Sequence, residues 1–273
     1  MKDVKALVLT GYGLNCDYET DYSLKLAGAQ SRRVHINDLI REKERLEDFH
    51  ILVFGGGFSW ADDHGAGVLL AAKIKFNLAA QLERFIHSGG LILGICNGFQ
   101  ALVNLGLLPA FNKNYSERRV ALIANQSGNF IDAWVNLKVN PHSPCVFTKG
   151  ISQIELPVRH GEGLFYASSE DMAALSGENR IVLHYADPNG APAKGVWPLN
   201  PNGALNDAAG LCDPTGRIFG LMPHPEAFNH FTNHPDWTRK KEDLARAGRE
   251  IADEGGDGLQ IFRNAVDFIR AKT

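Results

Sequence analysis

The sequence predicts an α/β fold: a doubly wound, mostly parallel sheet with an antiparallel β extension. Short, wholly apolar runs such as residues 91–95 are typical of buried parallel strands. In the first part of the chain these runs alternate with segments of helical spacing, and such alternation builds parallel sheets with right-handed crossovers. Between residues 111 and 157, polar and apolar residues alternate as they do in antiparallel strands. Ligands are therefore expected at the carboxyl ends of the parallel strands.

The first half of the chain predicts four strands, each followed by a helix. The first strand is indicated by the apolar run at residues 6–9, and the third helix by apolar residues at positions 70, 74, 78, 82 and 85. A run of three glycines follows the third strand directly, at residues 55–57. The predicted strands cover residues 4–10, 31–36, 49–54 and 91–95, and the helices cover residues 17–26, 38–46, 67–87 and a segment that begins at residue 97.

The second half of the chain predicts further strands and two helices. Strands are expected at residues 120–123 and 134–139. They would extend the edge of the sheet or form a small β insertion within the same domain. The other predicted elements are strands at 181–185, 195–197 and 218–221, a turn at 200–203, a charged helix at 240–250 and an amphipathic helix at 259–270. We find no internal repeat, low-complexity tract or domain linker, so residues 1–273 are expected to form a single domain.

The composition is typical of a globular cytoplasmic protein. The 273 residues are 44% hydrophobic and 22% charged, and the formal net charge of −3 favours neither nucleic acid nor an anionic membrane as a partner. The sequence has no signal-peptide pattern and no apolar run long enough to span a bilayer. The four cysteines lack the spacing of a disulfide framework or a metal site. We therefore expect a reducing, cytoplasmic location and no metal.

The central motif is a cysteine between two glycines, Gly94-Ile95-Cys96-Asn97-Gly98, at the point where a strand is followed by a helix. A cysteine at the end of a buried strand is most often just a small hydrophobic residue. The flanking glycines, however, fit the sharp turn of a nucleophile elbow, which leaves no room for side chains at those positions. Because the amino terminus of a helix stabilises negative charge, the motif also favours the thiolate. Cys96 is therefore predicted to be a nucleophile.

A candidate base and its orienting group lie together in the segment Met222-Pro223-His224-Pro225-Glu226, directly after a predicted strand. Prolines on both sides of His224 fix the backbone, so the segment is stiff. Glu226 can then orient the imidazole while His224 acts as the base for a nucleophile. The two motifs together predict a triad of Cys96, His224 and Glu226.

These motifs resemble those of the class I glutamine amidotransferases, in particular the glutaminase subunits of phosphoribosylformylglycinamidine synthase. The elbow and the His-Pro-Glu unit are typical of the whole superfamily. Three further motifs indicate the purine-pathway members: Asn-Gly-Phe-Gln at the end of the elbow motif, His-Gly-Glu-Gly, and Asn-Pro-Asn-Gly. The matching segments follow the order of the family over nearly the whole chain: residues 15–19, 56–59, 94–100, 160–163, 200–203 and 222–226.

The resemblance implies the flavodoxin-like fold of this family and roles for several residues. The backbone amides of Gly57 and Asn97 would form the oxyanion hole, with Gly56 a close alternative to Gly57. The helical turn after the elbow and the loop at residues 160–163 would border the bound glutamine. The implied substrate-binding residues are Gln100, His160 and Gly161.

The resemblance also implies the reaction and the partners. Glutamine would be hydrolysed to glutamate and ammonia through a thioester on Cys96. A separate synthetase subunit would use ATP and Mg²⁺ to convert formylglycinamide ribonucleotide to formylglycinamidine ribonucleotide in purine biosynthesis, and a small third subunit often bridges the two. This chain itself is expected to need no cofactor, because its glycine run at 55–57 is not followed by the Gly-Lys-Ser/Thr of a nucleotide-binding loop.

The sequence departs from the family pattern at three places. Gly55 stands where a proline commonly precedes the paired glycines, and residues 60–64 read Trp-Ala-Asp-Asp-His. Asp62, Asp63 and His64 could suggest a metal site, although a solvated loop fits such a segment better. Arg159 stands where the family often has a small residue, and it could add a charged contact at the rim of the pocket.

Three alternative functions are compatible with the sequence. The chain could be a glutaminase that serves a different ATP-dependent synthetase, or a cysteine hydrolase or peptidase on the same fold. It could also be a non-catalytic regulatory subunit, although the complete set of Cys96, His224 and Glu226 argues against that.

Overall fold

A computed structural model of the chain describes residues 3–249 and 255–272. In these ranges the chain forms eleven β-strands and eight α-helices. The strands are β1 (Lys5–Thr10), β2 (Gln30–His35), β3 (Ile51–Phe54), β4 (Leu91–Ile95), β5 (Ala121–Ile123), β6 (Ile131–Val139), β7 (Gln153–His160), β8 (Leu164–Tyr166), β9 (Ile181–Ala186), β10 (Ala208–Cys212) and β11 (Ile218–Leu221). The helices are α1 (Asp17–Leu26), α2 (Ile36–Ile40), α3 (Val68–Asn77), α4 (Ala79–His87), α5 (Asn97–Leu105), α6 (Ser169–Gly177), α7 (Trp237–Arg246) and α8 (Leu259–Ala271). None of these helices is long and apolar enough to cross a membrane.

Nine strands form one sheet, in the order β2-β1-β3-β4-β11-β10-β9-β6-β7. Strands β2, β1, β3, β4 and β11 pair in parallel, whereas β10, β9, β6 and β7 pair antiparallel to their neighbours. Strands β5 and β8 pair separately as a two-stranded sheet. This arrangement confirms the predicted fold class, including its antiparallel extension.

The parallel half of the sheet brings three strand ends together. Strand β4 lies between β3 and β11, and all three run in the same direction. The segments that follow these strands therefore meet at one edge of the sheet, where open α/β sheets bind their ligands. These segments carry the glycine run, the elbow cysteine and the His-Pro-Glu unit, respectively.

Burial follows the layered architecture. Every residue of β3 and of β4 is buried, as expected for parallel strands that are covered by helices on both faces. The last helix, α8, buries the apolar face that the sequence predicts, with Ile261, Phe262, Val266 and Ile269 all in the core. This packing holds the end of the described chain against the sheet.

Two predicted helices differ from those observed. The predicted helix at 38–46 is instead the five-residue α2. It begins early because His35 accepts a hydrogen bond from the Asn37 amide as its cap, and Glu42 has a positive φ of 56° that cannot continue a helix. The predicted helix at 67–87 is divided into α3 and α4 at Leu78, where φ is −126°.

The second half of the chain departs further from the prediction. Residues 195–197 form a turn rather than a strand, whereas β7, β8, β10 and α6 were not predicted. Strand β10 has the sequence Ala-Ala-Gly-Leu-Cys, which lacks the β-branched and aromatic residues that indicate strands. The predicted charged helix at 240–250 begins three residues earlier, as α7, and its predicted end at residue 250 lies outside the described residues.

Candidate active site

Cys96 occupies a sharp turn between β4 and α5. Its backbone has φ 50° and ψ −105°, a left-handed conformation that non-glycine residues rarely adopt. The helix that begins at Asn97 packs directly on β3. The approach is so close that a Cβ atom at Gly98 would overlap the carbonyl oxygen of Phe54. Only glycine permits this approach. The predicted elbow geometry is therefore present, with the cysteine raised above the carboxyl end of the sheet.

His224 and Glu226 form a short, buried pair beside this elbow. The Nδ1 atom of His224 lies 2.6 Å from Oε1 of Glu226, and the two residues are 2% and 0% exposed. The His224 amide donates to the carbonyl oxygen of Pro157 (2.8 Å), which fixes the segment on β7. A carboxylate at Nδ1 directs Nε2 outward as the reactive nitrogen.

The electrostatics of His224 favour its protonated form. Burial alone lowers the pKa of His224, but the negative charge of Glu226, together with Cys96 and Cys16, raises it well above its usual value. Cys96 therefore lies within electrostatic reach of the imidazole. Its thiol donates to the carbonyl oxygen of Arg159, 3.6 Å away, while Nε2 of His224 is buried with no hydrogen-bond partner among the described residues.

A second thiol lies on the other side of the imidazole. Sγ of Cys16 is 4.0 Å from Nδ1 of His224, and burial raises the pKa of this thiol. Cys16, His224 and Glu226 each present a possible metal ligand, with all three atoms within 4.8 Å of one another. A cation would have to break the 2.6 Å bond at Nδ1 and displace the Arg159 guanidinium, which lies 3.7 Å from Glu226. The arrangement observed is thus a hydrogen-bonded acid–base group.

The glycine run after β3 lies against His224. A Cβ atom at Gly56 would come within 2.7 Å of Cε1 of His224, so this position must stay without a side chain. The carbonyl oxygen of Gly56 points away and accepts the amides of Asn15 and Cys16 at 3.3 and 3.2 Å. Gly57 has a φ of 144°, and its α-carbon faces the backbone around Gly13 instead. Of the two glycines, Gly56 is therefore the one packed on the imidazole of His224.

Asn97 ties the elbow to this glycine loop. Its side-chain oxygen accepts the Ser59 amide (3.3 Å), and its Nδ2 donates to Asp62 (2.8 Å) and to Gln100 (3.2 Å). Burial raises the pKa of Asp62 to about 6, although the hydrogen bond from Asn97 opposes the shift. Asp62 is thus a structural tether, while Asp63 and His64 are both 73% exposed and form a solvated loop. The backbone N–H of Asn97 lies in the first turn of α5, where N–H groups have no acceptor within the helix.

Two of the predicted substrate-binding residues, Gln100 and His160, are buried, whereas Gly161 is half-buried. Nε2 of Gln100 donates to the carbonyl oxygen of Glu162 (2.5 Å). Burial and the charge of His224 lower the pKa of His160 to about 4, so His160 is neutral at pH 7. Its Nε2 atom has no hydrogen-bond partner among the described residues. Gly161 has only Phe130 near the position of a Cβ atom, so its outer face is open.

Sequence reasoning missed the residue that organises the surroundings of His160, Asn125. Its side chain accepts the Gly163 amide (2.9 Å), lies 3.2 Å from Nδ1 of His160 and donates to the His160 carbonyl oxygen (2.8 Å). A single asparagine outside a periodic segment gives no local signal of such a role. The position of Cys16 next to His224 is also not predicted by the sequence, although Cys16 lies in the matching segment at residues 15–19.

We expect Cys96 to be alkylated by iodoacetamide at mildly acidic pH well before the other cysteines. Exposure cannot decide the order, since Cys96 is 5% exposed and Cys16 is 7% exposed. Cys96 lies at the start of a helix and beside the His224 imidazole, surroundings in which reactive cysteines are found. Burial raises the pKa of Cys16, and raises that of Cys145 well above its usual value, while Cys212 is fully buried. Mass mapping of the first adduct tests this; modification of another cysteine first would contradict the assignment.

Comparison with known proteins identifies the family of the chain. A family model described as a CobB/CobQ-like glutamine amidotransferase domain matches residues 3–269. The chain is 49% identical to the phosphoribosylformylglycinamidine synthase subunit PurQ of Methanococcus maripaludis, over 97% of each chain. It is 46% identical to the PurQ subunit of Dehalococcoides mccartyi, over 99% of each chain. A chain of the Thermotoga maritima PurLQS structure superposes with a TM-score of 0.69 at 28% identity, covering 98% of this chain and 100% of that one. The chain therefore belongs to the CobB/CobQ-like glutamine amidotransferase family and, within it, to the PurQ-type subunits.

Proposed function

We propose that this chain hydrolyses glutamine and delivers the ammonia to a synthetase subunit that makes formylglycinamidine ribonucleotide in purine biosynthesis. The observation that carries the proposal is the elbow cysteine beside the buried His224–Glu226 pair, 2.6 Å apart. The full-length likeness to PurQ subunits supports this choice of pathway.

The first half of the reaction uses Cys96 and His224. The Cys96 thiolate attacks the side-chain amide carbon of glutamine, and a carbon–sulfur bond forms as the carbonyl oxygen gains negative charge. Amides of the glycine loop and of Asn97 stabilise this oxyanion. The imidazolium of His224, held by Glu226, gives its proton to the amide nitrogen. The carbon–nitrogen bond then breaks, so that ammonia leaves and a γ-glutamyl thioester remains.

The second half restores the enzyme. His224, now neutral, takes a proton from water, and the resulting hydroxide attacks the thioester carbon. The carbon–sulfur bond breaks, and glutamate leaves. One glutamine and one water thus give one glutamate and one ammonia, and the thiolate–imidazolium pair is regenerated.

The acceptor reaction is assigned to a partner. The chain has no ATP-binding motif, so the synthetase subunit would use ATP and Mg²⁺ and this chain would need no cofactor. The Thermotoga maritima relative belongs to a structure titled PurLQS, which supports a synthetase subunit, together with a small bridging subunit, as the partners here. A synthetase of another pathway would give the same chemistry at Cys96 but a different acceptor.

We expect the isolated chain to hydrolyse glutamine slowly and to accelerate when its partner assembles. Cys96, His224 and Glu226 are 5%, 2% and 0% exposed, so the site as described is nearly closed to substrate. If the partner sets one oxyanion donor, assembly raises the rate by about 100- to 1,000-fold, the value of one such donor. The measurement is glutamate release with and without the synthetase, ATP and formylglycinamide ribonucleotide.

The same assay separates the alternatives. Stimulation by a different synthetase and acceptor would replace the purine pathway in the proposal. Release of amino acids from peptides, with no release of ammonia from glutamine, would indicate a peptidase. Full-rate hydrolysis by the isolated chain would contradict partner dependence while leaving the glutaminase chemistry in place.

A further inference from the structure

Arg159, at the end of β7, contacts both halves of the triad. Its backbone carbonyl oxygen accepts the Cys96 thiol at 3.6 Å. Nη2 of its guanidinium lies 3.3 Å from Nδ1 of His224 and 3.7 Å from Oε1 of Glu226. The Arg159 side chain is 36% exposed, whereas the carboxylate it touches is fully buried. One residue therefore lies between solvent and the acid–base pair.

The guanidinium competes with Glu226 for a single atom. Nδ1 of His224 has one position for a hydrogen bond: it can donate to Glu226, or it can accept from Arg159, which has only donors. Catalysis needs the first state, because Nε2 must be free to take and return a proton. The 2.6 Å distance shows that Glu226 holds Nδ1 in this structure. A bond from Arg159 would require Nδ1 without its proton, a form that cannot become the imidazolium while that bond lasts.

The charge of Arg159 acts in the same direction. The groups that face the imidazole are Glu226, Cys16, Cys96, His160 and Arg159. Glu226 supports the imidazolium, whereas a cation 3.3 Å from the ring opposes it.

A second position for the guanidinium lies directly across the strand pair. Asp132 of β6 is the register partner of Arg159, so the two side chains leave the ribbon on the same face with Cβ atoms about 5 Å apart. Asp132 is exposed and forms no ion pair with any residue in the ranges 3–249 and 255–272. Rotation about side-chain bonds alone would move the guanidinium from the triad to this carboxylate.

We propose that Arg159 restrains the triad of the free chain, and that its guanidinium turns outward to Asp132 when the site is engaged for catalysis. Arg159 is thus a positioning residue that acts through His224. This inference rests on the proposed glutaminase function for its role in catalysis, but the contact with His224 can be tested without any turnover.

The first test is Arg159→Met, which keeps the aliphatic stem and removes the charge and the donors. Basal glutamine hydrolysis by the free chain should rise by about fivefold or more, the lower range of regulatory couplings. In NMR titrations of isotope-labelled histidine, the pKa of His224 should move upward, because a cation no longer opposes the imidazolium. Arg159→Lys retains the charge and should shift this titration less.

Arg119→Met is the matched control. Arg119 has the same exposed side-chain fraction, 36%, and pairs with a buried carboxylate, Asp171, at 2.6 Å. It should change neither the basal rate nor the His224 titration. Unchanged rate and titration in Arg159→Met would overturn the proposal, whereas a shifted titration in a chain with no glutaminase activity would contradict only the proposed function.

The outer position is tested by Asp132→Asn in the complex with the synthetase. Loss of the outer carboxylate should lower the partner-stimulated rate severalfold, and the double variant with Arg159→Met should recover it. A stimulated rate that is unaffected by Asp132→Asn would show that the guanidinium does not move to this residue.

Discussion

Replacement of Cys96 by alanine is expected to abolish glutamine-dependent synthesis by the complex while synthesis from added ammonium salt continues. Loss of a nucleophile removes the thioester route altogether, a decrease on the order of a million-fold in hydrolysis. The ammonium route bypasses this chain, because external ammonia reaches the acceptor site of the synthetase directly. The measurement is product formation with each nitrogen source in the reconstituted complex.

Cys145→Ala serves as the control for this variant. Cys145 is buried to a similar degree, 4% exposed against 5% for Cys96, but it is not part of the site. Both nitrogen sources should remain effective in that variant. Loss of ammonium-driven synthesis in Cys96→Ala would argue against a separate acceptor site, and retention of glutamine-driven synthesis would exclude Cys96 as the nucleophile.

The second large effect is expected for His224→Ala. Loss of the general acid–base group should lower glutamine hydrolysis by about 100- to 10,000-fold. The fold should survive, because the flanking prolines stiffen the backbone of this segment and the His224 amide donates a hydrogen bond to the carbonyl oxygen of Pro157. Hydrolysis rates and thermal unfolding of the same preparations provide the test. Near-normal turnover would show that another group is the base.

Glu226→Gln is expected to be milder than His224→Ala. Oε1 of Glu226 lies near two nitrogen atoms that can donate, Nδ1 of His224 at 2.6 Å and Nη2 of Arg159 at 3.7 Å. A glutamine side chain should therefore turn its oxygen, not its nitrogen, toward the imidazole, so the tautomer needed for catalysis is retained. A loss as large as that of His224→Ala would indicate that the amide is turned the other way.

Local sequence signals were sufficient for the parallel half of the fold, for the elbow turn and for the contact between His224 and Glu226. Strands such as β3 and β4 are continuous apolar runs, and the elbow is defined by glycines two residues either side of Cys96. His224 and Glu226 lie within one rigid segment of the sequence. In each case, the residues that determine the geometry are neighbours along the chain, so their pattern can be read directly.

The parts that could not be predicted depend on contacts between distant residues. Cys16 and His224 are 208 positions apart, and the role of Asn125 arises only because β7 and the loop after it fold around its side chain. Strand β10 forms because it pairs with β11 and β9 on its two sides, although its own residues have low strand propensity. The sequence marks Arg159 as unusual, but its pairing with Asp132 follows from a strand register that no single segment encodes.

The left-handed backbone of Cys96 has a consequence for the evolution of the chain. A non-glycine residue in such a conformation costs about 1–3 kcal/mol, which is a large fraction of the stability of an ordinary domain. Glycine would remove the strain and the nucleophile in one step. Selection for stability and selection for catalysis therefore oppose each other at this residue. In a duplicated copy that no longer needs catalysis, Cys96 is expected to be among the first residues replaced.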